Sequence, residues 1–201
     1  MKYAKRKHRR PFTKLEQKIL ELKLPHTLLG ISTRFMIETG IQGQELLALS
    51  ADDISKNGDT IHIHRMARPI NGRMCPEELP EDCQRTIHAN HKVRQLALTL
   101  KEMAGPTTIM GAETHNAYFD AKDFRRSFEN MLSKIPGVEP RTPVACRNTF
   151  VANQFAAGKK ATEIAQMLGI KDTRGIAKFR PKRRWKKATL KKSHAKPTKE
   201  D

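Results

Sequence analysis

Apolar residues recur every three to four positions through most of the chain and alternate strictly in one short stretch, so the pattern predicts helices around a small sheet. Phe12 and Thr13 read as a staple and N-cap for a helix through Leu22, which Pro25 ends. A second helix runs from Thr27 to Glu38 with Leu28, Leu29, Ile31, Phe35 and Met36 on or near its buried side, closed by Thr39 and Gly40. Gln42 to Leu49 forms a third, short helix. Asp53 and Ile54 then enter a strand, Lys56 to Asp59 turn, and Thr60 to Arg65 sets Ile61 and Ile63 against His62 and His64 with period two. Pro69 to Gly72 turns again, into a third strand from Arg73 toward Leu79.

Pro80 and Glu81 open a long helical region through Met103, striped by Val93, Leu96, Ala97 and Leu100. After the short apolar segment Thr107 to Met110 and a polar loop from Gly111 to Asn116, Asp120 caps a helix to about Lys134, with Phe124, Phe128, Met131 and Leu132 inward and Arg125 and Arg126 outward. Pro136 to Pro143 reads as a linker. Val144, Phe150, Val151 and Phe155 then share one helical face up to Gly158; Ala161, Ile164, Ala165 and Leu168 form the next helix, broken at Gly169. Asp172 or Thr173 caps a last short segment to Phe179. The fold class is mainly α with a small three-stranded antiparallel sheet.

Charge adds a partner to this picture. The formal net charge is +18 over 201 residues, and it is concentrated at the ends. Lys2 to Arg10 holds six Lys/Arg and no acid; Lys178 to Asp201 holds eleven against Glu200 and Asp201, leaving only +3 between. A nearly neutral globule (residues 13–179) between a basic arm (1–12) and a basic tail (180–201) is the footprint of a protein that holds a polyanion. Cys75, Cys83 and Cys146, an odd number with no signal peptide, point to free thiols in a reducing compartment. Cys75, Cys83, His88 and His91 match no common zinc spacing, and both histidines fall on the surface of the long helix, so no metal and no cofactor is expected. No apolar run reaches the length of a membrane span.

The two stretches ETGIQGQELLALSADDI, from Glu38, and PVACRNTFVANQFAAGKKATEIAQMLGIKDTRGIAKF, from Pro143, carry a resemblance. In order and spacing they resemble the catalytic domain of the tyrosine recombinases, the phage-integrase family, over residues 13 to 179. That family has Thr-Gly-x-Arg-x-x-Glu-Leu in the first, then His-x-x-Arg-His, Leu-Gly-His, and a tyrosine nine residues on. Thr39, Gly40, Glu45, Leu46, Arg147, Leu168 and Gly169 match. The family's first arginine falls on Gln42, its first histidine on Val144, the histidine after Leu-Gly on Ile170 and the tyrosine on Phe179; Asn148 follows Arg147 in place of the usual histidine. The family's lysine belongs to a hairpin near Arg65 to Arg73, where this chain offers Arg68 or Arg73.

Strand cleavage by that family requires a hydroxyl nucleophile, two guanidinium groups on the phosphate and a proton donor for the leaving oxygen. The resemblance with these replacements implies a recombinase fold without recombinase activity, lacking the separate N-terminal clasping domain, as in the single-domain fimbrial-switch invertases. It implies double-stranded DNA as partner, with Gln42, Arg68, Arg73, Arg147, Lys171, Arg174, Lys178, Arg180, Lys182, Arg183 and Arg184 as its contacts, and itself or an active recombinase as protein partner. The role would be regulatory, accessory or architectural for a plasmid, phage or integrative element, at the bacterial nucleoid. Two other readings stay open. The segment from Thr162 to Phe179 also reads as the helix-turn-helix of a repressor, and an active recombinase could use other groups such as Tyr118 or a histidine.

Overall fold

The computed structural model describes residues 9–70, 73–105, 107–113 and 120–181. Eight helices are described among them: α1 Lys14–Lys23, α2 Leu28–Thr39, α3 Gly43–Ala48, α4 His91–Glu102, α5 Ala121–Ser133, α6 Val144–Ala156, α7 Ala161–Met167 and α8 Arg174–Ala177. Four strands, β1 Thr60–Ile63, β2 Arg65–Ile70, β3 Arg73–Glu78 and β4 Arg85–His88, pair antiparallel as β1 with β4 and β2 with β3. Short 3-10 turns lie at Ala51–Asp53, Glu81–Cys83 and Ile109–Glu113.

Local chemistry sets the helix ends. Thr13 accepts the Glu16 N–H while the Glu16 carboxylate accepts the Thr13 N–H, a reciprocal cap that starts α1. Asp120 accepts from Lys122 at the start of α5, as its position promised. Helix α2 ends on Gly40 at φ 71°, where a Cβ would sit 2.6 Å from the Phe150 ring, so only glycine lets α2 and α6 close together. The α2 helix is the hub: Phe35 and Met36 are fully buried, and it packs against both α4 and α6. A second apolar cluster of Phe150, Phe155, Ile164, Leu168 and Ile176 joins α6, α7 and α8.

The fold class stands: mostly helical with small antiparallel sheets. The single three-stranded sheet does not. Ile61 and Ile63 are buried, with Ile61 opposite Ile87 of β4, while among the described residues β2 pairs with β3 alone. The long helix from Pro80 is likewise replaced by a 3-10 turn and β4, and α4 begins at His91 behind Asn90, whose side chain accepts the Val93 N–H at 2.9 Å. His88 therefore lies on a strand, opposite Thr60. Nor is the Pro136–Pro143 linker loose. Val138 and Arg141 are buried, and Arg141 donates to Glu16 at 2.7 Å with its guanidinium over the Phe12 ring. Val144 leaves the apolar face assigned to it and is 44% exposed.

Candidate nucleic-acid interface

The site is built around one buried carboxylate. Leu46 and Leu47 drive α3 into the core, which carries Glu45 inside with 3% of its side chain exposed. Burying a carboxylate is costly unless it is paired and hydrogen-bonded. Glu45 meets both conditions: Arg85 of β4 donates to both of its oxygens, at 2.9 and 2.8 Å, and the Gln42 N–H donates at 2.7 Å. Burial pushes the Glu45 carboxyl up, but the Arg85 hydrogen bonds and charge, the Arg147 charge and the Gln42 N–H outweigh it and hold it below the usual carboxylate range.

Arg147 arrives from the first turns of α6. Its Nη1 donates to the Gly40 carbonyl at 2.8 Å and its Nη2 to the Leu168 carbonyl at 3.0 Å, tying the ends of α2 and α7 to α6. The same Nη1 stands 3.7 Å from Glu45. Burial, with the like charge of Arg85 adding and Glu45 opposing, brings the Arg147 guanidinium down to about 10, still charged at neutral pH. Gly169, at φ 60°, lets the turn after α7 come down onto this cluster: a Cβ there would meet the Cys83 carbonyl at 2.3 Å and Arg85 at 3.1 Å.

Outside this cluster opens a cavity of about 310 Å³. Gln42, Val144 and Arg147 line it together with Arg9, Arg125, Leu47 and Phe124. Gln42 and Arg147 approach one oxygen of Glu45, so two stretches about a hundred residues apart in sequence share one surface site.

No protein-family model matches the sequence, and the search of curated proteins found no match. Comparison of structures is positive. The Tn1549 transposon integrase, in complex with a circular intermediate DNA, superposes with a TM-score of 0.70 at 18% identity over 85% of this chain and 60% of that one. The XerA recombinase gives 0.64 at 16% identity over 85% and 58%, and the catalytic domain of bacteriophage HP1 integrase gives 0.54 at 17% over 86% and 89%. This chain has the tyrosine-recombinase catalytic-domain fold. It spans 60% of the length of the Tn1549 integrase chain.

On that recombinase fold the site residues divide. Ile170 and Phe179 do not line the cavity with Gln42; half-buried, they pack against the second apolar cluster. Arg68 is exposed on β2 and pairs with Glu77 at 3.0 Å, while for Arg73 only the backbone, in β3, is described. Lys171 pairs with Asp82, and Arg174 with Asp172 at 2.8 Å. Lys178 lies 5.0 Å over the Phe179 ring and Arg180 5.7 Å over the Phe155 ring. Lys182, Arg183 and Arg184 fall outside the described residues, as do most of the arm and Tyr118. Helix α8 is four residues long, too short to lie along a groove as a recognition helix.

Sequence reasoning missed Arg85, hidden in a strand read as helix, and a second buried carboxylate. Asp53 accepts from Arg65 at 2.9 Å and contacts His64 Nε2 at 2.8 Å, so His64, which follows β1 directly, is tied inward. Among the described residues no group of three His, Cys, Asp or Glu is placed to hold a metal, and no helix is long and apolar enough to cross a membrane.

Proposed function

We propose that this chain binds double-stranded DNA through the recombinase fold without cutting it, as a regulatory, accessory or architectural factor of a mobile element, assembling with itself or with an active recombinase. The observation that carries this is the chemistry at four positions, two in the cavity wall and two against the second apolar cluster. Gln42 has an amide where a guanidinium would hold the phosphate, Val144 puts methyl groups in the cavity wall, and Ile170 and Phe179 are packed into an apolar cluster. None of these four offers a nucleophile or a general acid. Removing a single transition-state donor typically lowers turnover by two to three powers of ten, and without a nucleophile the others have nothing to act on.

Binding needs less. Exposed Arg68, Lys171 and Arg174 sit in solvent-screened surface ion pairs, which hold weakly, so a phosphate competes with their present partners readily. Lys178 and Arg180 extend the cationic run into Lys182, Arg183 and Arg184. Phosphate neutralisation of this kind gives a log affinity falling against log salt with a slope of about −0.9 per phosphate. Fluorescence anisotropy of a labelled duplex across a salt series tests the reading. Submicromolar binding at low salt with a steep slope supports it, and absence of binding at low salt overturns it.

A further inference from the structure

The buried cluster holds two guanidinium groups for one carboxylate, and they are not equivalent. Arg147 stands 3.7 Å from Glu45 and directs its shorter bonds to two backbone carbonyls. Arg85 alone makes the two-pronged ion pair, with 6% of its side chain exposed. Position 42 is the N-cap of α3 and Glu45 is three residues on, so their side chains are neighbours, and the backbone N–H of Gln42 already touches the carboxylate. An arginine at 42 could therefore reach Glu45 too, but from the cavity side, where Gln42 now stands half-buried.

We infer that Arg85 is a positioning residue that supplies the counter-charge of Glu45 from inside the fold, in place of one at 42, and so withdraws a guanidinium from the DNA-facing cavity while keeping α3 in place. The inference rests on the proposed reading only in taking the cavity to face DNA. Its structural half stands apart. Positions 42 and 85 are interchangeable for the fold, because one carboxylate needs one forked partner, and opposite for the ligand, because only 42 opens on the cavity. A third guanidinium added to the present pair would leave a buried excess of positive charge, so Gln42→Arg in the wild-type background turns outward or destabilises.

The test compares the full-length wild type, Arg85→Gln, Gln42→Arg, the double variant, and Arg85→Gln with Gln42→Lys, by urea denaturation and by anisotropy with a labelled duplex. Arg85→Gln is expected to lower the urea midpoint clearly, and Gln42→Arg to restore most of that loss in the double variant, a non-additivity diagnostic of a shared partner. Lysine at 42 lacks the fork and restores little. The double variant is expected to bind the duplex about tenfold more tightly than wild type, as a charge-assisted bond to phosphate permits, with a salt slope steeper by about 0.9. Should Arg85→Gln fail to fold, a folded double variant is the same rescue. Additive losses in the double variant overturn the inference, as does a stable double variant whose duplex affinity and salt slope match the wild type. If the wild type itself does not bind duplex, the proposed function falls, and the stability rescue still decides the role of Arg85.

Discussion

Replacing Arg147 with alanine removes a side chain whose hydrogen bonds join the ends of α2 and α7 to α6. Two carbonyls, Gly40 O and Leu168 O, lose donors at 2.8 and 3.0 Å. A hydrogen bond involving a charged group contributes roughly 1.5 to 3 kcal/mol, and the lower end applies here because the site borders a cavity from which water can replace the lost donor. The two bonds together come to about 3 kcal/mol. Against this, Glu45 keeps its Arg85 fork and Arg85 loses a like-charged neighbour, so the net loss should be about 2 to 3 kcal/mol. Far-UV circular dichroism in urea measures it directly, with a fall of about 5 to 10 °C in thermal midpoint expected for a chain of this size. Arg147→Lys separates two roles: one carbonyl is lost but the charge stays at the cavity, so stability falls while duplex affinity holds better than in the alanine variant. An alanine variant within about 1 kcal/mol of wild type would refute the assignment of Arg147 as the tie between these helices.

Gly169→Ala should cost about 2 to 4 kcal/mol, since a Cβ at φ 60° would press on the Cys83 carbonyl at 2.3 Å, whereas Gly158→Ala, at φ 86° with nothing within 4 Å, should cost only the roughly 1 to 2 kcal/mol of the backbone conformation. Urea midpoints of the two variants check the contrast. Glu45 and Asp53 both have carboxyls held below their ordinary range in the folded state, so the stability they contribute is present above about pH 5 and is lost as pH falls through their folded values; urea midpoints from pH 7 to pH 3 should drop, more shallowly in Glu45→Gln. Removing residues 182–201, which leaves Arg180 in place over Phe155, should flatten the salt dependence of duplex binding in anisotropy titrations. An unchanged slope would assign the tail to another ligand.

Elements fixed by local chemistry were legible in the sequence. Thr13, Asp120 and Gly40 mark their helix ends with side chains or a left-handed backbone that need no tertiary context, and the alternation at Ile61 and Ile63 names the buried face of β1. The strand β4 was not legible because its four residues follow a proline and two acids that imitate a helix start, and only pairing with β1, more than twenty residues away, makes it a strand. That one misreading hid Arg85 as well. The buried pairs Glu45 with Arg85 and Glu16 with Arg141 leave no trace in hydrophobic periodicity, which records apolar burial and treats any charge as surface. Val144 shows the converse: an apolar residue in phase with Phe150 and Val151 that lines an open cavity. The juxtaposition of Gln42 and Arg147 came from the paired stretches and their resemblance, since no spacing rule joins residues so far apart.

The central claim is that this fold holds DNA without cutting it. End-labelled duplexes, intact and carrying a nick that traps covalent intermediates, incubated with the wild type and with Phe179→Tyr and resolved by denaturing electrophoresis, test it most directly. No protein-linked band is expected from either protein, because tyrosine alone restores neither the family's arginine at 42 nor its histidines at 144 and 170. A covalent band from the wild-type chain would contradict the account.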